Sequence, residues 1–588
     1  MKLNPGLYFA AVLTFLTVSA FPAAQAPEGQ RFAAALYHFN LQYVAGDRNA
    51  EDRIVRESLA PLLDLYVRHP GWGADFEMQG YMVEQLNERF PDVFRKLKTL
   101  IESGQIDLVC FHYSDQFFLA YPRWDMDWSE RLDRRLLDRL GVRRSGTVFT
   151  QEGQFGEGLS DFMKANGYDT AILPKNLYRY LHGDEDAAPY YDMNGVNVVI
   201  GGKGVKYEDG GVKLSLEWTF FDDGELLATG RTSPYSPDFR YDPAALAGYE
   251  DRLARLEADG VKLVTVGGCV RALKALGVKP APLKPVLDGT WQAGETDNVF
   301  RWMGDYRGAH ERDDEVLTTT YRSRTLLAAA ETALIRLKNT GAGVDALEET
   351  LAEAWRKQLL AEVSDSTGWT PAPGEIEYAL EMDRSAADAA RGIIEAVKSR
   401  LNAPFVRINI ATGEVVPAAA QDEPAVRERT ECPVKVLLEG GFRDSELYCE
   451  RAGERRWDVV ARFTTKDWFR NDVRMVFPRT IDRIVYSPAL MEYRVVEYPL
   501  DAFKPEKEAF YLPSPNGLIG IGENVSLIKH AGSVHAAWEY GLREKTVALR
   551  MLRPRNARYE WRVSVVMGTP AEAVEEAKRI NTHPAATY

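Results

Sequence analysis

The sequence predicts an α/β protein: a parallel βα barrel, a helical segment after it, and a C-terminal antiparallel β-sandwich. Three observations carry this. Toward the N-terminus short apolar runs alternate with stretches of helical periodicity, and strands separated by helices imply parallel βαβ units. After Ala281–Pro285 the pattern changes to Ala-, Leu- and Glu-rich amphipathic stretches. From Val434 onward β-rich runs with aromatic content follow one another. A length of 588 residues agrees with several units, because single cores stop growing near about 250–300 residues.

The elements follow in order. Residues 1–26 read as a secretory signal: Lys2 is the lone charge before Glu28, Leu7–Phe21 is apolar, and Ala24-Gln25-Ala26 offers a small-x-small cleavage site. An uncleaved anchor is the competing reading, although the run is short for a span of about 20 residues. The expectation is an exported protein, periplasmic or extracellular, with no membrane partner after cleavage. Residues 27–285 form the barrel. Its strand candidates are Arg31–Asn40, Asp75–Gln79, Gln105–His112, Gly146–Glu152, Thr170–Leu173, Val196–Ile200, Leu214–Phe221 and Val261–Val266. Tyr81–Ser103 and Asp242–Asp259 are helix-like stretches between them. Residues 286–405 are the helical segment, with helices over Thr325–Lys338, Val344–Val363 and Arg384–Leu401. Residues 406–588 are the sandwich, entered through a polar linker or long loop at Thr412–Glu431.

Composition narrows the partners. With 86 Asp+Glu against 72 Lys+Arg the formal charge is −14, which argues against nucleic acid and favours a neutral substrate. Cys432 and Cys449, 17 apart, are a disulfide of an exported protein or two buried thiols. Cys110 and Cys269 read as packing residues at strand ends, and no CxxC supports a structural zinc site. No cofactor and no metal are expected, and the oligomeric state is left open.

In a parallel barrel the chemistry sits at the C-terminal ends of the strands. Four expected strands end in polar clusters: Tyr37-His38-Phe39-Asn40, His112-Tyr113-Ser114-Asp115, Phe149-Thr150-Gln151-Glu152, and Phe220-Phe221-Asp222-Asp223-Gly224-Glu225. Carboxylates at two strand ends can face one another across the mouth, as glycoside hydrolysis requires of its nucleophile and general acid. Each alone has a plainer reading. A Glu after a strand is commonly a solvated loop residue, Asp-Asp-Gly-Glu is a turn or a calcium loop, and His38 alone is a core histidine. Their common end of one barrel is the stronger signal.

The order of these motifs from Arg31 to Val363 resembles glycoside hydrolase family 57, the α-amylase and 4-α-glucanotransferase family, whose barrel is an incomplete (β/α)7. His38-Phe39-Asn40-Leu41-Gln42 is similar to its first motif, His-x-His-Gln-Pro, with Asn40 in place of the second histidine. Phe111–Gln116 resembles the second, with Asp115 nearest the acidic position. The resemblance makes Glu152 the nucleophile and Asp223 the acid/base. It puts Phe149 where a tryptophan is usual, and Asp297–Gly304 on a degraded fifth motif. Ser364-Asp365-Ser366-Thr367-Gly368-Trp369 is similar to a serine-aspartate-aromatic segment of the family and of related α-mannosidases, or is a helix C-terminal loop. The implied activity is a retaining glycoside hydrolase or transglycosylase on an α-linked oligo- or polysaccharide. His38, Asn40, Asp115, Trp218 and Trp302 are then expected to bind the sugar. Trp124, Trp128, Arg123 and Arg301 are further mouth candidates or core and surface residues.

Two other classes compete. A metal-dependent deacetylase or α-mannosidase-like enzyme needs an Asp or His-x-Asp ligand, and His38-Phe39-Asn40 lacks the aspartate. A non-catalytic glycan-binding protein with a decayed site accounts for the altered first and fifth motifs.

Overall fold

The structure is a computed structural model. It describes residues 29–588 apart from 45–46, 186, 230–238, 293–296, 304–311, 369–372, 421–426, 466–471, 505–506, 553–555 and 583–585. The signal reading for residues 1–26 and Trp369 lie outside the described residues. No described helix is long and apolar enough to cross a membrane.

Among the described residues the parallel strands are β1 (Gln30–Phe39), β2 (Ala74–Met78), β3 (Ile106–Val109), β4 (Thr147–Val148), β5 (Thr170–Pro174), β6 (Val196–Gly201) and β7 (Val212–Asp223), with the two-residue Lys262–Leu263 also parallel to β1. They are hydrogen-bonded as two sheets. One has the order β3-β2-β1-β7, with Val205–Asp209 antiparallel at its edge; the other contains β4-β5-β6, extended by Tyr191–Met193 and Ala281–Pro282. Both sheets turn one face to a shared interior. Phe32, Ala34 and Leu36 of β1 meet Val109, Phe149, Ile172, Val199, Leu214 and Leu216 in a single apolar cluster. The alternate β1 residues Ala33, Ala35, Tyr37 and Phe39 pack outward with Phe76, Met78 and the surrounding helices. This period of two is what a strand covered on both faces requires.

Several elements differ from the sequence expectation for local reasons. The helix expected over Tyr81–Ser103 is two helices, Gly80–Arg89 and Pro91–Glu102, because Pro91 has no N–H to continue the first. Val261–Val266 supplies only the two-residue strand Lys262–Leu263. Thr265 then caps a helix over Val266–Ala275, so Cys269 is helical rather than at a strand end.

Behind the parallel strands lie α1 (Arg123–Leu140), α2 (Asp313–Lys338), α3 (Asp345–Ala361) and α4 (Pro373–Leu401). Arg324 of α2 makes a buried bidentate pair with Asp125 of α1, at 2.7 and 2.8 Å. The C-terminal part is antiparallel, with one eight-stranded and one five-stranded sheet. Part of the expected linker is a strand: Glu414–Ala418 pairs with Phe405–Asn409, which also pairs with Ala586–Thr587. Cys432 and Cys449 are bonded, with Cα atoms 5.3 Å apart, while Cys110 and Cys269 are free and buried.

Candidate active site

Strand register assembles the first part of the site. His38 at the end of β1 lies opposite Glu77 of β2 on one side and Asp223 of β7 on the other. A bulge in β7 sets this register. Ala34 pairs with Trp218 but Ala35 pairs with Phe220, so Thr219 is an extra residue. The bulge changes which side chains of β7 face inward: Trp218 and Phe221 touch the interior cluster, whereas Phe220 packs outward. Without it Asp222, not Asp223, would stand beside His38. The Thr219 hydroxyl donates to the Ala34 carbonyl (3.2 Å) and shares a hydrogen bond with Tyr249 (3.1 Å), which ties the bulge down.

Glu152 arrives differently. It sits in the turn Gln151–Gly153 after β4, with φ 55° and ψ 17°. A non-glycine residue there costs about 1–2 kcal/mol, so the turn must be held from outside. The Trp291 amide donates to the Glu152 carbonyl (3.0 Å), and the Gln151 amide donates to His112 Nε2 (2.9 Å). Gly153 shares the left-handed conformation, and a Cβ on it would lie 2.5 Å from Pro174 and 3.0 Å from Trp291. Only glycine fits there. The Glu152 carboxylate accepts from the Trp291 indole (2.9 Å) on Oε2, and from Gln151 Nε2 (3.1 Å) and Ser364 Oγ (3.4 Å) on Oε1.

A polar relay joins the strand ends. The His38 ring nitrogen Nδ1 contacts the Glu77 carboxylate. Gln79 donates to Asp115 and to Asn40 Oδ1. Asn40 in turn donates through Nδ2 to Asp365 (2.8 Å), and its backbone N–H donates to Glu225 (2.5 Å). Burial dominates the electrostatics. It pushes Glu152 up to about 8, with Asp365 adding to the effect, and pushes Asp223 up to about 7, with Asp222 adding. Burial, then Asp223, raises Glu225 to about 8. For His38 burial opposes the charge, but Glu77, then Asp115 and Asp223, outweigh it and hold the imidazole well above its ordinary range. The mouth therefore sets one imidazolium among carboxyl groups that retain protons near neutrality.

Glu77, His112 and Asp115 each offer an atom to a metal, all within 4.8 Å of one another. The sequence reading named no such set. The hydrogen bonding does not fit a bound ion. Glu77 Oε1, His112 Nδ1 and Asp115 Oδ1 are buried with no hydrogen-bond partner, but His112 Nε2 accepts the Gln151 amide, so the neutral ring carries its proton on Nδ1 and offers no free lone pair.

Of the predicted site residues, His38, Asp115, Glu152 and Asp223 lie close enough to act on one another's ionisation, and Asn40 is hydrogen-bonded to Asp365 and Glu225 of the same cluster. Trp218 lies lower in the interior, 5.1 Å from Phe221. Trp302 is 5% exposed and packs on Gly368, its carbonyl accepting from Thr367. Trp124 and Trp128 are on α1 and donate, with Trp355, to Glu331. The sequence reading passed over Glu77, Gln79 and Trp291. The signal for the first two was present: Asp75-Glu77-Gln79 are alternate polar residues in an otherwise apolar strand. Trp291 carried no local signal.

No protein family's sequence profile matches the chain. It is 25% identical over 144 residues to α-amylase 1 of Dictyoglomus thermophilum, covering 24% of this chain and 21% of that one. To an α-amylase of Pyrococcus horikoshii it is 24% identical over 150 residues, covering 25% and 24%. The match thus spans about a fifth to a quarter of those curated relatives. An α-mannosidase from Enterococcus faecalis superposes with a TM-score of 0.62 at 10% identity, over 95% of this chain and 90% of that one, so the two share a fold. A GH57-type branching enzyme from Pyrococcus horikoshii covers 63% of this chain and 91% of its own, at 13% identity and a TM-score of 0.44.

Proposed function

We propose, on the premise that the chain is a divergent relative of glycoside hydrolase family 57, that it is an exported retaining glycosidase or transglycosylase acting on an α-linked glycan. The observation that carries this is the convergence of Glu152 and Asp223 beside His38, from β4 and β7, at one end of the parallel strands. We read the two parallel sheets as an incomplete (β/α)7 barrel, with that end as its mouth.

In this reading the Glu152 carboxylate bonds to the anomeric carbon as the glycosidic C–O bond breaks, and Asp223 gives its proton to the departing oxygen. Asp223 then takes a proton from water or an acceptor hydroxyl, which attacks the same carbon and returns the electron pair to Glu152. His38, Asn40 and Asp115 bind sugar hydroxyls. The roles need Glu152 ionised while Asp223 is protonated. The free site shows the opposite tilt, with Glu152 held up to about 8 and Asp223 to about 7. What favours Glu152 as nucleophile is its set of N–H and O–H donors, since donors stabilise the anion.

The test is a glycan panel with wild type, Glu152→Gln and Asp223→Asn, with the product anomer followed by NMR. Release of the retained anomer by wild type alone supports the reading. Release undiminished in both variants overturns it.

A further inference from the structure

We propose that Trp291 is the positioning residue of the Glu152 carboxylate, its indole N–H fixing the rotation of the group that attacks the sugar. The proposal rests on the glycosidase reading for its catalytic consequence, but the pairing itself stands on geometry. Trp291 holds Glu152 twice, by its backbone N–H on the carbonyl (3.0 Å) and by its indole on Oε2 (2.9 Å). A double tether of this kind fixes both the strained turn and the side chain it presents. The tether is itself anchored. Asn176, just after β5, donates to the Trp291 carbonyl (3.1 Å), and Gly153 leaves room for the Trp291 Cβ.

The ring is half-buried and stands edge-on to His38, with centroids 6.2 Å apart, and tilted against Phe149 at 5.8 Å. The residue therefore lies against both Glu152 and His38. It stands beyond Pro285, in sequence outside the expected barrel. The charged groups facing Glu152 are Asp365 after α3, His38 of β1, Asp223 of β7 and Asp115 after β3. Asp365, Asp223 and Asp115 oppose its ionisation and His38 favours it. The indole N–H is the shortest hydrogen bond its carboxylate receives.

Trp291→Phe removes the N–H and keeps an aromatic ring. The ionisation of Glu152 is followed by carboxyl ¹³C NMR, using the resonance that Glu152→Gln deletes. Covalent labelling by a 2-deoxy-2-fluoroglycosyl fluoride is followed by mass spectrometry. The variant is expected to raise the Glu152 midpoint by about one unit and to slow labelling about tenfold. Trp291→Gln, which returns an N–H without the ring, is expected to bring the midpoint back toward wild type. An unchanged midpoint in Trp291→Phe overturns the proposal, as does an unchanged labelling rate. A raised midpoint in a protein whose wild type is never labelled sustains the pairing and counts against the glycosidase reading instead.

Discussion

Two buried glutamates of this protein accept hydrogen bonds from tryptophan, and burial raises both above the ordinary carboxyl range, but their charged neighbours differ. Glu331 on α2 receives the indoles of Trp124 (2.9 Å), Trp128 (2.8 Å) and Trp355 (3.1 Å) on one oxygen, with Arg131 3.8 Å from the other. Helices α1 and α3 are thereby pinned to one carboxylate of α2. Glu152 has one indole, and its charged neighbours include Asp365 and Asp223. A carboxylate that ties two other helices and has an arginine beside it is a structural anchor, whereas one crowded by like charges is kept available for chemistry. The difference predicts opposite responses to substitution.

The largest contrast is in turnover. Glu152→Gln should abolish glycan turnover by about 10³-fold or more while leaving the melting temperature unchanged or higher, since it removes a poorly compensated buried acid. Glu331→Ala should do the reverse. It strands the buried indole N–H groups of Trp128 and Trp355 and the half-buried one of Trp124, and should cost about 3 kcal/mol or more by urea denaturation, with normal kcat in the protein that remains folded. A Glu331→Ala variant as stable as wild type would remove the distinction.

The buried Arg324–Asp125 pair extends the anchor class. Arg324→Met leaves Asp125 uncompensated and should cost about 3–5 kcal/mol, measurable in the same titration. The carboxyl cluster should show the opposite dependence on charge. Glu152, Glu225 and Asp223 have folded pKa values near 8, 8 and 7, above their unfolded values. The folded state then binds more protons, so stability falls as pH rises from about 4 to about 8. Glu152→Gln and Asp223→Asn should flatten that slope, and a slope unchanged in both would contradict the shifts.

Smaller effects sharpen the geometry. Thr219→Val removes the hydroxyl that ties the β7 bulge and should cost about 1 kcal/mol. A larger fall in kcat than in bound glycan would show that the register of Asp223 is what suffers. Chelation should matter least: dialysis against EDTA should leave the melting temperature unchanged, and elemental analysis should find no stoichiometric metal. A metal found at one per chain would mean that His112 turns away from the Gln151 amide.

What was legible in the sequence is what local pattern encodes. The apolar run Phe32–Tyr37 and the polar ends of β1, β4 and β7 could be read without coordinates, and the Cys432–Cys449 spacing narrowed that pair to a disulfide or two thiols. Glu77 and Gln79 were equally local and were missed because β2 was read as an apolar run. Trp291 comes from a segment more than a hundred residues beyond Glu152, and although the resemblance singled out Ser364-Asp365, only tertiary packing shows that both segments meet Glu152. The bulge at Thr219 leaves no mark in composition, yet it decides which aspartate faces His38. Of the two readings open for Trp124 and Trp128, mouth or core, the structure supports the core one: both lie on α1, and their indoles serve Glu331.

The central claim is that Glu152, held by Trp291, is the nucleophile. Its most direct test is digestion of the wild-type protein after reaction with a 2-deoxy-2-fluoroglycosyl fluoride, with peptide mapping by mass spectrometry. The account predicts a single glycosyl adduct on Glu152, lost in Glu152→Gln. An adduct on Asp223, or steady turnover of glycan with inversion and no adduct at all, would contradict it.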